Sequence, residues 1–193
     1  MPNWCTNIMI VKGNDVEEFD NDFHGLPAYA TKGDDKKRCF NAIVEQPSDN
    51  ELEDVLNENE NLVFSLLNSN YEISPQRSWR ISMWGTKWDI YSDDIKIREA
   101  NLLDDKNVYY KYTFHTAWSP PIAFVKNASK KYPDLKFILK YHEVNMGVLG
   151  KAVVKDGEIL KDIFDDSNEE ELKELENDED LKPIFEAYYQ EVK

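Results

Sequence analysis

The sequence predicts an α+β fold: a ferredoxin-like split βαβ antiparallel sheet with helices on one face, a helical insert and an acidic helical C-terminus. The order of local patterns carries this prediction, because strand, helix, insert, two strands, helix and strand follow one another before a hairpin centred on Asp-Gly. The predicted ferredoxin-like domain covers residues 1–164, with the insert at about 26–89, and the acidic appendage covers residues 165–193.

The first half of the chain predicts one central strand, one short helix and the insert. Residues 6–12 are apolar and rich in β-formers, so they are expected to form the strand. Asn14 is expected to cap the helix, which Gly25 ends. Within the insert, residues 40–44 are expected to be strand-like, and helices are expected from Asp49 onward, at 62–67 and at 77–84.

The second half predicts the remaining strands and helices. The expected strands are 90–100, 108–115, 135–142, 148–155 and 158–164. Ser119 is expected to cap a helix whose first turn contains two prolines, and Pro133 ends it. Ser167 and Glu170 predict a capping box for an acidic helix, and Asp180 with Pro183 predicts another.

Composition excludes several classes of protein. The chain has 193 residues, 41% of them hydrophobic, and a formal net charge of −15. This apolar content is too high for a disordered chain, and no apolar run reaches the roughly 20 residues that a membrane span needs. The first residues lack the features of a signal peptide, and Cys5 and Cys39 form no disulfide framework, so a cytoplasmic protein is expected. A pI of about 4.6 disfavours a general nucleic-acid binder.

Charge is unevenly distributed along the chain. Residues 101–150 carry 7 basic and 4 acidic side chains, whereas residues 151–193 carry 6 basic and 15 acidic ones. The acidic end predicts an interaction face for a basic protein, or two amphipathic helices packed on the domain with a solvated outer side. The residues proposed for this face are Asp165, Asp166, Glu169, Glu170, Glu174, Asp178 and Glu179.

Strand alternation predicts a basic face on the sheet. The side chains expected to point away from the helices are Lys111, His115, Lys136, Lys140 and His142. Such a face is either solvated or a contact for nucleic acid or phosphate. The histidines and the two cysteines lack zinc-type spacing, so we predict no metal, no cofactor and no catalytic residue.

Tryptophans flank predicted turns and suggest a binding cleft. Trp84 and Trp88 bracket Gly85, with Lys87 and Asp89 close by, and Trp118 precedes a predicted helix. A buried indole needs a partner for its N–H group, so such rings often line half-wet clefts. The alternative is that the rings only cover the end of the core.

Four motifs resemble the YubB ferredoxin-like domain family, the Api92-like proteins of phages, prophages and plasmids. The motifs are Pro2-Asn3-Trp4-Cys5-x-Asn7, Phe40-Asn41, Trp84-Gly85-Thr86-Lys87-Trp88-Asp89 and Thr116-Ala117-Trp118-Ser119-Pro120-Pro121. The resemblance runs from about residue 2 to residue 160 and implies the same fold, a cytoplasmic location and a mobile-element origin. It supplies no catalytic residue. With the motif residues included, the candidate cleft is Asn3, Trp4, Asn41, Trp84, Lys87, Trp88, Asp89 and Trp118.

These observations lead to a hypothesis of a non-enzymatic accessory protein that acts by binding. We expect an acidic inhibitor of a host protein with a basic surface, such as a nucleic-acid-handling or defence protein of the kind that anti-CRISPR or anti-restriction proteins block. One alternative is a module that binds a nucleotide or single-stranded nucleic acid in the tryptophan cleft. A second is an enzyme using Lys87, Asp89, His115 and Glu143. A homodimer through an edge strand within residues 148–164 is a further expectation.

Overall fold

The computed structural model describes residues 3–25, 37–58, 74–104, 107–143, 147–164, 167–184 and 186. Its strands are β1 (Trp4–Lys12), β2 (Ile97–Asp104), β3 (Asn107–Ala117), β4 (Lys136–Glu143), β5 (Val148–Lys155) and β6 (Glu158–Phe164). Its helices are α1 (Val16–Phe23), α2 (Cys39–Ile43), α3 (Asp49–Glu58), α4 (Pro75–Trp84), α5 (Ile122–Lys131) and α6 (Glu169–Glu176). Among the described residues, no helix combines the length and apolar character required to cross a bilayer.

The strands form one six-stranded antiparallel sheet in the order β2-β3-β1-β4-β5-β6. Strand β1 pairs with both β3 and β4, so that Met9 lies opposite Tyr112 on one side and Leu139 on the other. The first four strands therefore have the ferredoxin-like order, and the β5–β6 hairpin extends the sheet beyond β4. Both hairpin turn residues, Asp156 and Gly157, have positive φ angles of 50° and 74°, as a type I′ turn requires.

The main core lies between the sheet and helices α1, α2 and α5, on what we call the helix face. Phenylalanines from three helices meet here, and the rings of Phe40 and Phe124 are 4.3 Å apart. Phe19 and Phe23 pack edge-on against Tyr112 of β3 at 6.3 and 5.2 Å. Burying each such side chain stabilises the fold by roughly 1.5–3 kcal/mol. The aromatic core thus fixes the helices on the predicted face.

The segment predicted as strand-like at 40–44 is instead the helix α2, so this prediction was wrong. Asp89 accepts hydrogen bonds from the backbone N–H groups of Phe40 and Asn41, at 2.8 and 3.1 Å. These bonds satisfy donors that a helix N-terminus leaves unpaired. The acceptor lies 48–49 residues away in the chain, and the local apolar pattern carries no information about it.

Other boundaries also differ from the predicted ones. The strand expected at 90–100 begins only at Ile97, after a short 3₁₀ helix, Ser92–Asp94. The helix expected at 77–84 forms, but it begins at Pro75. The residue expected to cap α3 is its first residue, and the helix expected at 62–67 lies outside the described residues. The N-terminal caps of three helices lie one or two positions after those predicted: they are Asp15, Pro121 and Asn168.

The opposite side of the sheet, which we call the tail face, is partly covered. Leu175 of α6 and Leu181 pack against Leu149 of β5 and Ile163 of β6 in a second, smaller apolar cluster. The helix expected to begin at Asp180 is helical at each described residue from 182 on, namely 182–184 and 186. The described part of the acidic end, with Leu175 and Leu181, therefore lies on the sheet.

Candidate functional site

Three of the five tryptophans are half-exposed. The exposed fractions of Trp4, Trp88 and Trp118 are 52%, 44% and 47%, whereas Trp84 is only 1% exposed. The Trp84 indole N–H donates to the carbonyl of Val44 at 2.9 Å. Trp84, which the sequence placed in the cleft, is therefore a core residue, and the candidate surface consists of the other three rings.

Two loops hold these rings side by side. Gly85 ends α4 with φ 79°, and a Cβ atom built there would lie 3.1 Å from the carbonyl oxygen of Pro120. Ser119 donates its hydroxyl to the Gly85 carbonyl at 2.5 Å, and Thr86 donates to the Ala117 carbonyl at 3.1 Å. The turn after α4 is thereby locked to the end of β3, because glycine permits both the backbone angle and the close approach.

Cationic side chains alternate with the rings along this surface. The Lys87 ammonium lies 3.9 Å from the Trp88 ring centre and 4.0 Å from that of Trp118, and the Arg77 guanidinium lies 5.2 Å from Trp118. The Trp88 ring lies 6.2 Å from Trp4. Partial burial and the charge of Arg77 lower the pKa of Lys87. We call these five residues the tryptophan row.

The backbone under Trp118 is unusual. Its φ angle is 75°, a left-handed conformation that few residues other than glycine adopt. The Trp118 N–H donates to the carbonyl of Asn3 at 2.8 Å, which ties this residue to the start of β1. Of the two asparagines placed in the candidate cleft by resemblance, Asn3 supports the fold through its backbone carbonyl, and Asn41 does so through its side chain, which accepts a hydrogen bond from the Gln46 N–H at 3.0 Å.

A cleft of about 500 Å³ opens beside Trp4 and Trp88 at one end of the sheet. Its size falls in the range of small-molecule pockets. The lining residues are Trp4, Trp88, Asp89, Ile90, Asp93, Asp94, Lys96, His115, Thr116 and Ala117. The cleft therefore combines two indole rings with three carboxylates and two basic side chains.

Two of the carboxylates also support the backbone. Asp89 accepts three backbone N–H bonds, including one from Ile90 at 2.8 Å. Burial raises the pKa of Asp89, while these hydrogen bonds oppose the rise. Asp94 accepts from the Tyr91 N–H at 3.0 Å. The walls of the cleft are therefore held in place by backbone hydrogen bonds.

The four residues considered for an enzyme do not converge. Asp89 and His115 line the cleft, but Lys87 contacts the rings of Trp88 and Trp118 and is not part of the lining. Glu143 is buried, and its position in β4 places it on the helix face. The described residues contain no group of three or more His, Cys, Asp or Glu side chains able to hold a metal ion.

The acidic tail is partly neutralised by the sheet. Lys140 lies 2.6 Å from both Asp178 and Asp180, and the latter also contacts Lys111 at 2.6 Å. Lys151 lies 3.0 Å from Asp178 and 3.2 Å from Glu174, which also pairs with Lys161. We call Glu174, Asp178 and Asp180 the tail carboxylates. We call Lys111, Lys140, Lys151 and Lys161 the sheet lysines.

This pairing shifts the pKa values of the groups involved. Burial raises the pKa of Asp178 and Asp180, but hydrogen bonds from the sheet lysines outweigh it, so both values fall below the ordinary range. The hydrogen bond from Lys161 lowers the pKa of Glu174. Lys111 and Lys140 of the predicted basic face, and Glu174 and Asp178 of the predicted acidic face, thus belong to one internal contact.

The remaining predicted acidic residues divide into two groups. Glu169, Glu170 and Glu179 are exposed, whereas Asp165 and Asp166 lie outside the described residues. Sequence reasoning did not select Asp180, Arg77, Asp93, Asp94 or Lys96. For the two cleft aspartates a signal existed, since they follow the Trp88-Asp89 pair within a few residues.

The strand order and the packing of helices define a ferredoxin-like α+β protein. Residues 87–185, just over half of the chain, match the family model described as the ferredoxin-like domain in Api92-like protein, so the chain belongs to the Api92-like family. This finding confirms the family predicted from the motifs. A crystal structure of the protein api92 from Yersinia pseudotuberculosis is similar at 8% identity and a TM-score of 0.48, over 87% of this chain and 99% of that one. No curated protein matches the chain.

Proposed function

We propose that this protein acts by binding a second protein that has a basic surface, and that the tryptophan row is the centre of the contact. One observation carries the proposal: three adjoining, half-exposed tryptophans lie on a molecule with a net charge of −15. Binding energy at protein interfaces is concentrated in tryptophan, tyrosine and arginine side chains.

Exposed indoles have an unfavourable contact with water that a partner relieves. Adjoining apolar surface on a monomer marks an interaction site more often than isolated exposed residues do. Hydrogen bonds fix the backbone next to Trp88 and Trp118, and Trp4 lies in strand β1, so little backbone entropy is lost when a partner docks.

Charge selects a basic partner. Complementary charge speeds encounter and suppresses wrong partners, and a strongly anionic molecule favours cationic surfaces. Around the rings, Asp93 and Asp94 are exposed, and Glu169, Glu170 and Glu179 add exposed charge on the tail. Because Glu174 and Asp178 are engaged by sheet lysines, the tail contributes less than its composition suggests.

The class of partner is inferred from the kinds of protein that have a basic surface. Proteins that handle nucleic acids present lysine and arginine to phosphates, and an acidic protein that covers such a surface inhibits them. Together with the phage or plasmid origin that the motif resemblance implies, this supports a host nucleic-acid-handling or defence protein as the target of the proposed binding.

The experiment is affinity capture from a lysate of the host cells, with the tagged full chain and a matched pair of variants. Trp88→Ala removes a ring of the row, and Ile81→Ala removes an apolar side chain of nearly equal exposure, 42% against 44%. We expect an identified basic protein to be retained by the wild type and by Ile81→Ala, lost with Trp88→Ala, and released by salt. Equal capture by both variants, or a partner without a basic surface, would contradict the proposal.

A second candidate function is binding of a nucleotide or single-stranded nucleic acid. The observation that favours it is the cleft itself, where Trp4 and Trp88 offer ring faces and Lys96 offers a positive charge. The carboxylates of Asp93 and Asp94 oppose it, because they repel phosphate. Titration with short oligonucleotides, followed by tryptophan fluorescence, tests this candidate, and an unchanged signal removes it.

A further inference from the structure

We propose that the cleft between Trp4 and Trp88 is a socket for a guanidinium group, into which the basic partner inserts one arginine side chain. This inference rests on the proposed function and deepens it, because it assigns the chemistry of a single contact. Three features of the molecule support the socket: the shape of the cleft, the charges that line it, and the cation contacts that the rings of this surface already make.

The shape suits a flat side chain. The planes of the two indoles are inclined by 46°, and their centres are 6.2 Å apart, so the rings form diverging walls. At about 500 Å³, the cleft is large enough for a long side chain together with part of its backbone. A planar guanidinium can stack on one indole while its stem contacts the other.

The charges favour a cation. Three carboxylates, from Asp89, Asp93 and Asp94, line the cleft, and Lys96 is the one lining residue with a permanent positive charge; two further cations, Arg38 near Asp89 and Lys87 on the Trp88 ring, lie outside the lining. Burial, followed by the charge of Lys96, lowers the pKa of His115, so this imidazole is neutral at pH 7. A carboxylate has about four acceptor sites, so Asp94 retains acceptors besides the one that receives the Tyr91 N–H.

Rings of the same surface already bind cations, both at the cleft and outside it. Lys87 lies against Trp88, a wall of the cleft, and against Trp118, and Arg77 lies over Trp118. Arginine fits the cleft better than lysine, because its planar group stacks on rings and its five N–H donors reach carboxylates at the same time. A nucleobase would bring a phosphate towards the same carboxylates.

The probe is a short peptide, acetyl-Gly-Arg-Gly-amide, titrated into the full chain and followed by the NMR signals of the indole N–H groups. We expect the Trp4 and Trp88 signals to shift, while those of the buried Trp79 and Trp84 do not. The matching citrulline peptide, which is neutral but nearly isosteric, should bind about tenfold more weakly or worse. The lysine peptide should lie between the two.

Substitutions inside and outside the cleft test whether the arginine peptide binds there. Trp4→Leu should abolish the shift of the Trp88 signal, whereas Trp118→Leu, which removes a ring outside the cleft, should preserve it. Asp93→Asn should weaken binding about threefold or more, and Glu158→Gln, an exposed acid on β6, should not. Equal affinity for the arginine and citrulline peptides, or an unchanged response in both Trp4→Leu and Asp93→Asn, would overturn the socket. So would a stronger response to an oligonucleotide than to the arginine peptide.

The two proposals fail in different ways. If capture of the basic partner depends on Trp88 but the arginine peptide leaves the Trp4 and Trp88 signals unmoved, the socket is wrong and the proposed function stands. If the peptide occupies the cleft but capture is indifferent to Trp88→Ala, the proposed function is wrong and the socket stands.

Discussion

Replacing Lys140 with methionine tests whether the tail is held to the sheet by charge. The Lys140 side chain is 9% exposed and contacts Asp178, which is 6% exposed, and Asp180, each at 2.6 Å. Methionine keeps an unbranched apolar stem but removes the ammonium group. Two poorly solvated carboxylates then lose a partner in one substitution.

The magnitude follows from what each carboxylate retains. Breaking a buried pair by removing one partner costs about 3–5 kcal/mol when the remaining charge is left alone. Here Asp178 keeps Lys151, and Asp180 keeps Lys111, so we expect a loss of about 2 kcal/mol in the free energy of unfolding. For a chain of this length, that loss corresponds to a fall of about 4–8 °C in Tm.

Denaturant unfolding and amide hydrogen exchange of α6 measure the effect. Lys136→Met is the matched control, since Lys136 lies on the same strand and face without an ion pair among the described residues. In a double-mutant cycle with Asp178→Asn, we expect a coupling energy of about 1–2 kcal/mol. Equal destabilisation by the two lysine variants, or a coupling energy near zero, would refute the electrostatic account of tail docking.

Three further predictions concern pH, a helix cap and the interior. The tail carboxylates have folded-state pKa values below their unfolded ones, so the stability that they contribute is present above about pH 4 and is lost as the pH falls through the folded values. Denaturation midpoints measured against pH should show this loss of stability. The loss should be smaller in the Lys140→Met variant. Asp89→Ala leaves three backbone N–H groups without their acceptor and should cost about 3 kcal/mol in the free energy of unfolding, against less than about 1 kcal/mol for Glu158→Ala, which removes an exposed carboxylate on β6. In Gly150→Ala, the new Cβ would lie 2.4 Å from the Tyr141 hydroxyl oxygen and 2.6 Å from a backbone carbonyl oxygen, so thermal unfolding should reveal a loss of about 2 kcal/mol.

The parts of the fold that depend on local chemistry were predictable. The Asp156-Gly157 turn placed both strands of the hairpin correctly, because the twist of a two-residue hairpin demands positive φ angles that these residues tolerate. Strand alternation likewise identified which residues of β3 and β4 face away from the helices, since the period of two leaves no other arrangement.

The parts of the fold that depend on contacts between residues far apart in the chain were not predictable from the sequence. Helix α2 was mistaken for a strand because the residue that caps it, Asp89, lies some fifty positions later in the chain. In the same way, the acidic tail and the basic face were treated as two separate surfaces. Nothing in a one-dimensional charge pattern specifies that Lys140 and Asp178 neutralise each other.

In the candidate site, too, the features set by local sequence were predictable, and those set by contacts between distant residues were not. Trp88 and Trp118 were selected because loop tryptophans beside glycine and proline are unusual. Their alternation with Lys87 and Arg77 requires α4 and the β3–α5 loop to meet. Trp84 was selected on the same local grounds, but its N–H bond to Val44 makes it part of the core.

The left-handed backbone at Trp118 has an energetic consequence. Holding a residue other than glycine in this conformation costs roughly 1–2 kcal/mol, and a ring that is 47% exposed regains only part of that cost through burial. The fold would be easier to form with a smaller, more permissive residue there. Tryptophan at this position therefore costs stability at an exposed site. Such a cost is expected of a residue that serves binding, as proposed for the tryptophan row, and not the stability of the fold.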